Sequence, residues 1–166
     1  IGLFDPGTFG LGDTIVAGKK KFKYQGIPLF APERFARIAP EDSLRRKQFV
    51  KGITQLSQEG AIQTFKRDDV GIEELICGVV GVLQFDVLKY RLKSEYKVDI
   101  IFEQLEFRFV RWVEGEKDLT KLQLTSTTRI ARDISDRPVL LFVNDWSITW
   151  AQSNNEGITL SDTAIR

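Results

Sequence analysis

The sequence predicts an α+β fold, and three observations predict it. Apolar residues recur at helical spacing in two windows, 42–58 and 82–95; short apolar runs flank each window; and Gly, Pro, Asn or Asp punctuate the joints. The chain has 166 residues, 42% hydrophobic and 28% charged, with no low-complexity tract. That suffices for one ordinary domain or slightly more, since domains cluster at roughly 100–150 residues.

Residues 1–29 alternate short apolar pieces with Asp5-Pro6-Gly7, Gly10, Gly12-Asp13 and Gly18, the pattern of short strands joined by turns. Too few strands are present to close a sheet, so this segment reads as the end of a β-barrel whose earlier strands lie upstream. The chain begins at Ile1 in apparent strand and contains no Met, which predicts that it is a piece of a longer protein. A second domain is expected over 30–166, with a core over about 30–105 and an extension over about 106–166.

Within the core, 33–39 reads as a strand and Asp42 as the N-cap of a helix running to Gln58, with Phe49, Val50, Ile53 and Leu56 on one face and Gly60 as its stop. Residues 61–66 and 73–80 read as strands around the turn Arg67-Asp68-Asp69. A second helix over 82–95 puts Phe85, Leu88, Leu92 and Tyr96 on one stripe, and 98–103 closes the unit as a strand. The order β-α-β-β-α-β is the split βαβ, ferredoxin-like arrangement. In the extension, 107–113 and 138–143 read as strands and 119–124 as a short helix. Asn144 or Asp145 caps a helix through Trp146 and Trp150, and 157–160 returns as a strand. The extension is either an α+β appendix on the same sheet or a small second subdomain.

The absences restrict function. The chain has no His, which excludes Ser-His-Asp and Cys-His catalysis and His-containing metal sites. Its single cysteine, Cys77, excludes an intramolecular disulfide and an all-cysteine zinc site; within the apolar run 75–80 it reads as a buried, inert thiol in a reducing cytoplasm. No stretch approaches the roughly 18 apolar residues of a membrane helix. The glycines Gly7, Gly10 and Gly12 match no phosphate-loop pattern and read as turn residues. Acid pairs at Asp68/Asp69 and Glu73/Glu74, and the trio Glu114, Glu116 and Asp118, read as solvated groups. Phe107, Phe109 and Trp112 read as core. Gly78 and Gly81 fit either a tight strand-to-helix turn or close approach to a ligand.

Charge is unevenly spread along a chain of net charge +1. Residues 19–51 hold ten Lys/Arg against three acids, whereas 68–118 hold seven against twelve. The basic end includes Arg45, Arg46, Lys47 and Lys51 around the start of the first helix, where the helix dipole disfavours cations by about 0.3–1 kcal/mol each. Lys47 and Lys51 stand one turn apart, opposite Phe49 and Ile53. A phosphate-facing patch and a plainly solvated face both fit this pattern.

Three stretches carry more specific information. They are Gly26-Ile27-Pro28-Leu29-Phe30-Ala31-Pro32-Glu33-Arg34-Phe35-Ala36-Arg37; Lys47-Gln48, Lys51-Gly52 and 55–61; and Gly78-Val79-Val80-Gly81-Val82-Leu83-Gln84-Phe85-Asp86-Val87, followed by 90–96 and Arg111-Trp112-Val113. Together they resemble the bacterial class II, or third, peptide chain release factors, a family of translational GTPases. Gln84 points to that family rather than to the translocases, which carry a Gly-x-Leu-His-Leu type sequence there; Ser43 stands where the family commonly has Pro.

The resemblance implies a chain equivalent to the end of the β-barrel second domain plus the C-terminal domain. It implies no catalytic residue, cofactor or metal here, with GTP/GDP and Mg bound by a GTPase domain outside this sequence. The implied partners are the ribosome, through its RNA and proteins, and the class I release factor whose release and recycling the whole factor stimulates. A cytoplasmic monomer with no membrane contact is implied, and Arg45, Arg46, Lys47 and Lys51 are the candidate ribosomal RNA contacts. Two alternatives remain open: the equivalent domain of a translocase-like or ribosome-protection GTPase, and a stand-alone ferredoxin-like enzyme acting on a small acid or phosphate.

Overall fold

A computed structural model describes residues 13–18, 22–24, 28–67, 75–115 and 118–165. The glycine cluster at 7–12, the acids at 68–74 and Glu116 lie outside the described residues. Residues 13–18 and 22–24 carry neither helix nor strand, although Tyr24 N–H donates to Thr14 Oγ1 at 3.1 Å and draws the two pieces together.

The core follows the predicted order closely. Strand β1 (Pro28–Leu29) leads to β2 (Arg34–Pro40), helix α1 (Arg46–Gln58), β3 (Gln63–Lys66), β4 (Leu75–Val79), helix α2 (Leu83–Tyr96) and β5 (Ile100–Leu105). Gly60, at φ +75°, ends α1 as its sequence position predicts. In the extension, β6 (Phe109–Glu114), β7 (Arg129–Asp133), β8 (Pro138–Phe142), helix α3 (Asp145–Ser153), β9 (Thr159–Ser161) and β10 (Ala164–Ile165) complete the chain. The short helix expected over 119–124 is only a 3-10 turn, Leu119–Lys121, which Asp118 caps by accepting from Thr120 N–H. Strands β7 and β10 were not legible in the sequence.

Among the described residues the main sheet runs β5-β2-β4-β3-β7-β8-β6-β9, antiparallel at every step. Its first four strands form the split βαβ unit, and β7 joins the extension to the same sheet through β3. A separate pair joins β1 to β10 antiparallel.

The sheet cannot lie flat. Strands β5 and β6 stand six places apart, about 29 Å at a spacing of roughly 4.8 Å. Yet the chain passes from Leu105 to Phe109 in four steps, about 14 Å at most. The sheet therefore rolls, and its inner face encloses Phe35, Phe65, Ile76, Val110, Trp112, Ala131, Val139 and Leu141. The Phe35 and Phe107 rings meet edge-on at 6.3 Å across the roll. Helices α1 and α2 cover one part of the outer face over Ala36, Ile38, Leu75, Cys77 and Val79. Helix α3 covers another, over Val113, Leu140 and Phe142.

Candidate functional site

The four cations singled out by sequence surround the start of α1. Asp42 accepts from Leu44 N–H at 2.9 Å and so opens a 3-10 turn, Ser43–Arg45, that runs into α1. Nothing in that turn is buried, and Leu44 at its tip is 87% exposed. The first turn of α1 has no acid of its own, so Asp42 and Glu41, just before it, are the nearby acidic offset to Arg46 and Lys47.

Burial orients the helix. Phe49, Ile53 and Leu56 are buried, and Gly52 lets α2 approach: a Cβ there would lie 2.7 Å from Leu92 Cδ2 and 2.9 Å from Tyr96 Cδ2. The opposite stripe, Lys47, Lys51, Thr54 and Gln58, is exposed along its whole length. The fold thus brings Lys47 and Lys51 onto one exposed face. Arg46 precedes Lys47 by about 100° of helix rotation and Arg45 lies in the 3-10 turn, so both are exposed but neither extends the stripe.

Two further cations flank α1 that no local pattern could have revealed. Lys66 on β3 and Arg132 on β7 are cross-strand neighbours on the sheet face that α1 covers. They line a cleft of about 290 Å³ with Val50, Thr54, Thr64 and Asp136, the last ion-paired to Arg132. The two residues are far apart in sequence and meet only through β3–β7 pairing.

Gln84 acts at the joint between β4 and α2. Its Oε1 accepts from Val80 N–H and Gly81 N–H, both at 2.9 Å, and its Nε2 donates to the Ala61 carbonyl. The N-cap residue Val82 makes no side-chain cap bond, so Gln84 supplies the acceptor for this turn from inside the helix.

The remaining candidates are structural. Cys77 is buried, and burial pushes its thiol up to about 12. Trp112 is buried with its Nε1–H donating to Asp133 Oδ2 at 2.9 Å, while Phe107 and Phe109 pack at core margins. Close packing accounts for Gly78, where a Cβ would stand 2.7 Å from Pro32 Cγ. The described residues hold no group of three potential metal ligands, and no helix among them is long and apolar enough to cross a membrane.

A family model described as "Class II release factor RF3, C-terminal domain" matches residues 24–152, from before β1 to the last turn of α3. The chain belongs to this family. It is 41% identical over 160 residues to the peptide chain release factor 3 of Staphylococcus saprophyticus subsp. saprophyticus, covering 96% of the chain and 30% of the relative. It is 40% identical over 162 residues to the peptide chain release factor 3 of Streptococcus pyogenes serotype M5, covering 98% of the chain and 31% of the relative. The chain therefore spans about 30% of the length of these curated relatives. For a class II release factor C-terminal domain, the α+β sheet, the exposed α1 stripe and the Gln84 joint are the parts now fixed in space.

Proposed function

We propose that this chain is the ribosome-docking, non-catalytic portion of a translation-termination factor, contacting ribosomal RNA through the exposed face of α1. In this reading the whole protein binds GTP/GDP with Mg in a separate GTPase domain. It acts on cytoplasmic ribosomes to promote release and recycling of a class I release factor. Residues 1–29 belong to a β-barrel domain and residues 30–166 to the docking domain. The supporting observation is the family match combined with a lysine pair, Lys47 and Lys51, presented one turn apart on a fully exposed stripe. Phosphate contacts by such a pair release counterions, and Arg45 and Arg46 reinforce the local positive potential.

The test is ribosome co-sedimentation of the full-length protein across a salt series, with Lys47→Ala/Lys51→Ala beside the parent. Each lost phosphate contact lowers the slope of log K against log salt by about 0.7–0.9. The double variant is expected to lose about 1.4–1.8 from that slope, so its affinity falls roughly 7- to 12-fold less than the parent's over a fourfold rise in salt. Equal slopes for the two proteins would remove α1 from the RNA interface.

A further inference from the structure

Helix α3 carries a surface of opposite character to α1. Trp146 and Trp150, one turn apart, are 64% and 40% exposed, and their rings lie 5.5 Å apart between centroids at 34°. Beneath them Ile148 and Ala151 are buried against Leu140 and Phe142, so the packing of α3 is satisfied by its other face. The tryptophans contribute no buried anchor to the core. Large exposed aromatic pairs of this kind are enriched where a protein meets a partner, since an indole buries much area at little conformational cost.

The charge of the segment that carries the pair selects the partner. From Pro138 to Ile165 the sequence has no Lys or Arg, while Asp145, Glu156 and Asp162 are all acidic. On neighbouring elements, Arg111 lies over the Phe109 ring at 5.6 Å and Lys121 is ion-paired to Asp118 at 3.4 Å. A nucleic-acid backbone would find no cation on this helix and would meet Asp145 beside the aromatic pair. A protein surface rich in arginine and lysine fits both features, because guanidinium and ammonium groups stack on indole faces and are attracted by the acids.

We propose that the Trp146/Trp150 face of α3 docks a basic protein surface, specifically an Arg/Lys-rich protein segment of the ribosome, separate from the RNA-facing α1. This rests on the ribosome-docking reading above. The domain would then be bipolar, with lysines toward RNA and tryptophans toward protein.

The experiment places p-benzoylphenylalanine at position 146 of the full-length protein and irradiates it with 70S ribosomes, with co-sedimentation measured on the same sample. The expected result is an adduct that survives ribonuclease and maps to a Lys/Arg-rich ribosomal protein segment. Asp145→Lys provides the sign: it is expected to weaken ribosome binding on the order of tenfold at low salt, whereas against RNA it would tighten it. An adduct to RNA alone, tighter binding by Asp145→Lys, or ribosome binding with no adduct would each overturn the proposal while leaving the ribosome-docking reading intact. Loss of co-sedimentation by the unsubstituted protein would instead overturn that reading and this proposal with it.

Discussion

Asp133, at the end of β7, holds four hydrogen-bond donors on one buried carboxylate, and replacing it by alanine is expected to damage the protein more than any surface change. Its Oδ2 accepts from Trp112 Nε1 at 2.9 Å and from Arg137 Nε at 2.7 Å, and Arg137 Nη2 makes an ion-pair contact with it at 2.7 Å. Its Oδ1 accepts from the backbone N–H groups of Ser135 and Arg137, both at 2.9 Å. The residue is 9% exposed, so water cannot replace all of these bonds. Removing one member of a buried ion pair costs about 3–5 kcal/mol, since the partner's charge is left desolvated. Arg137 retains partial solvent access, its side chain 30% exposed, which places the expected loss near the lower end, about 3 kcal/mol. For a chain of this size each kcal/mol shifts Tm by roughly 2–4 °C, so Asp133→Ala is expected to lower it by about 6–12 °C. The assay is thermal and urea unfolding followed by fluorescence, in a Trp146→Phe/Trp150→Phe background where Trp112 is the remaining indole. A loss under about 1 kcal/mol would show that the network does not hold the β7–β8 hairpin and would refute the reasoning.

Three other outcomes are expected. Gly52→Leu inserts a branched side chain where even a Cβ would collide with Leu92 and Tyr96, so it is expected to cost about 1–3 kcal/mol in urea unfolding; an unchanged midpoint would mean α1 and α2 separate freely. Gln84→Ala strips the acceptor from Val80 and Gly81 N–H and is expected to cost about 0.5–2 kcal/mol, with faster hydrogen exchange at those two amides; unaltered exchange there would count against the cap. Hydrogen bonds from Arg91 hold the Glu59 and Glu95 carboxyls below the usual carboxylate range. A carboxyl depressed on folding contributes stability above its unfolded pKa, about 4.3, and loses it as pH falls through the lower folded value. Arg91→Ala is therefore expected to lower Tm at pH 6–7 and progressively less toward pH 3, and a pH-independent difference would exclude this ion cluster as the cause.

The split βαβ core was legible because its elements announce themselves locally. Phe49, Ile53 and Leu56, and then Phe85, Leu88 and Leu92, repeat at helical spacing, and each set is buried as the repeat requires. Capping was readable in part, since an N-cap needs only neighbours: of Asn144 and Asp145 it is Asn144 that accepts from Ser147 N–H at 2.9 Å, and Asp42 caps the 3-10 turn that runs into α1. Strand β7 was not legible. Arg-Ile-Ala-Arg-Asp looks like polar loop, and its Asp133 becomes an interior residue only because Trp112 and Arg137 arrive with donors. The same holds for the cation site. Lys47 and Lys51 follow from helix geometry, whereas Lys66 and Arg132 become neighbours of that helix only once β3 pairs with β7.

By itself the sequence determined the element order of the core, the buried face of each of its helices, the family, and the chemistry the chain cannot perform without histidine or a second cysteine. These are properties of composition and of spacing within a few residues. Tertiary structure alone decided the strand order of the extension, the roll forced by the three residues joining β5 to β6, and the separation of a lysine stripe on α1 from a tryptophan pair on α3. Those depend on which strands share hydrogen bonds and on how far a short connection can reach, and neither is encoded in any single window of the chain.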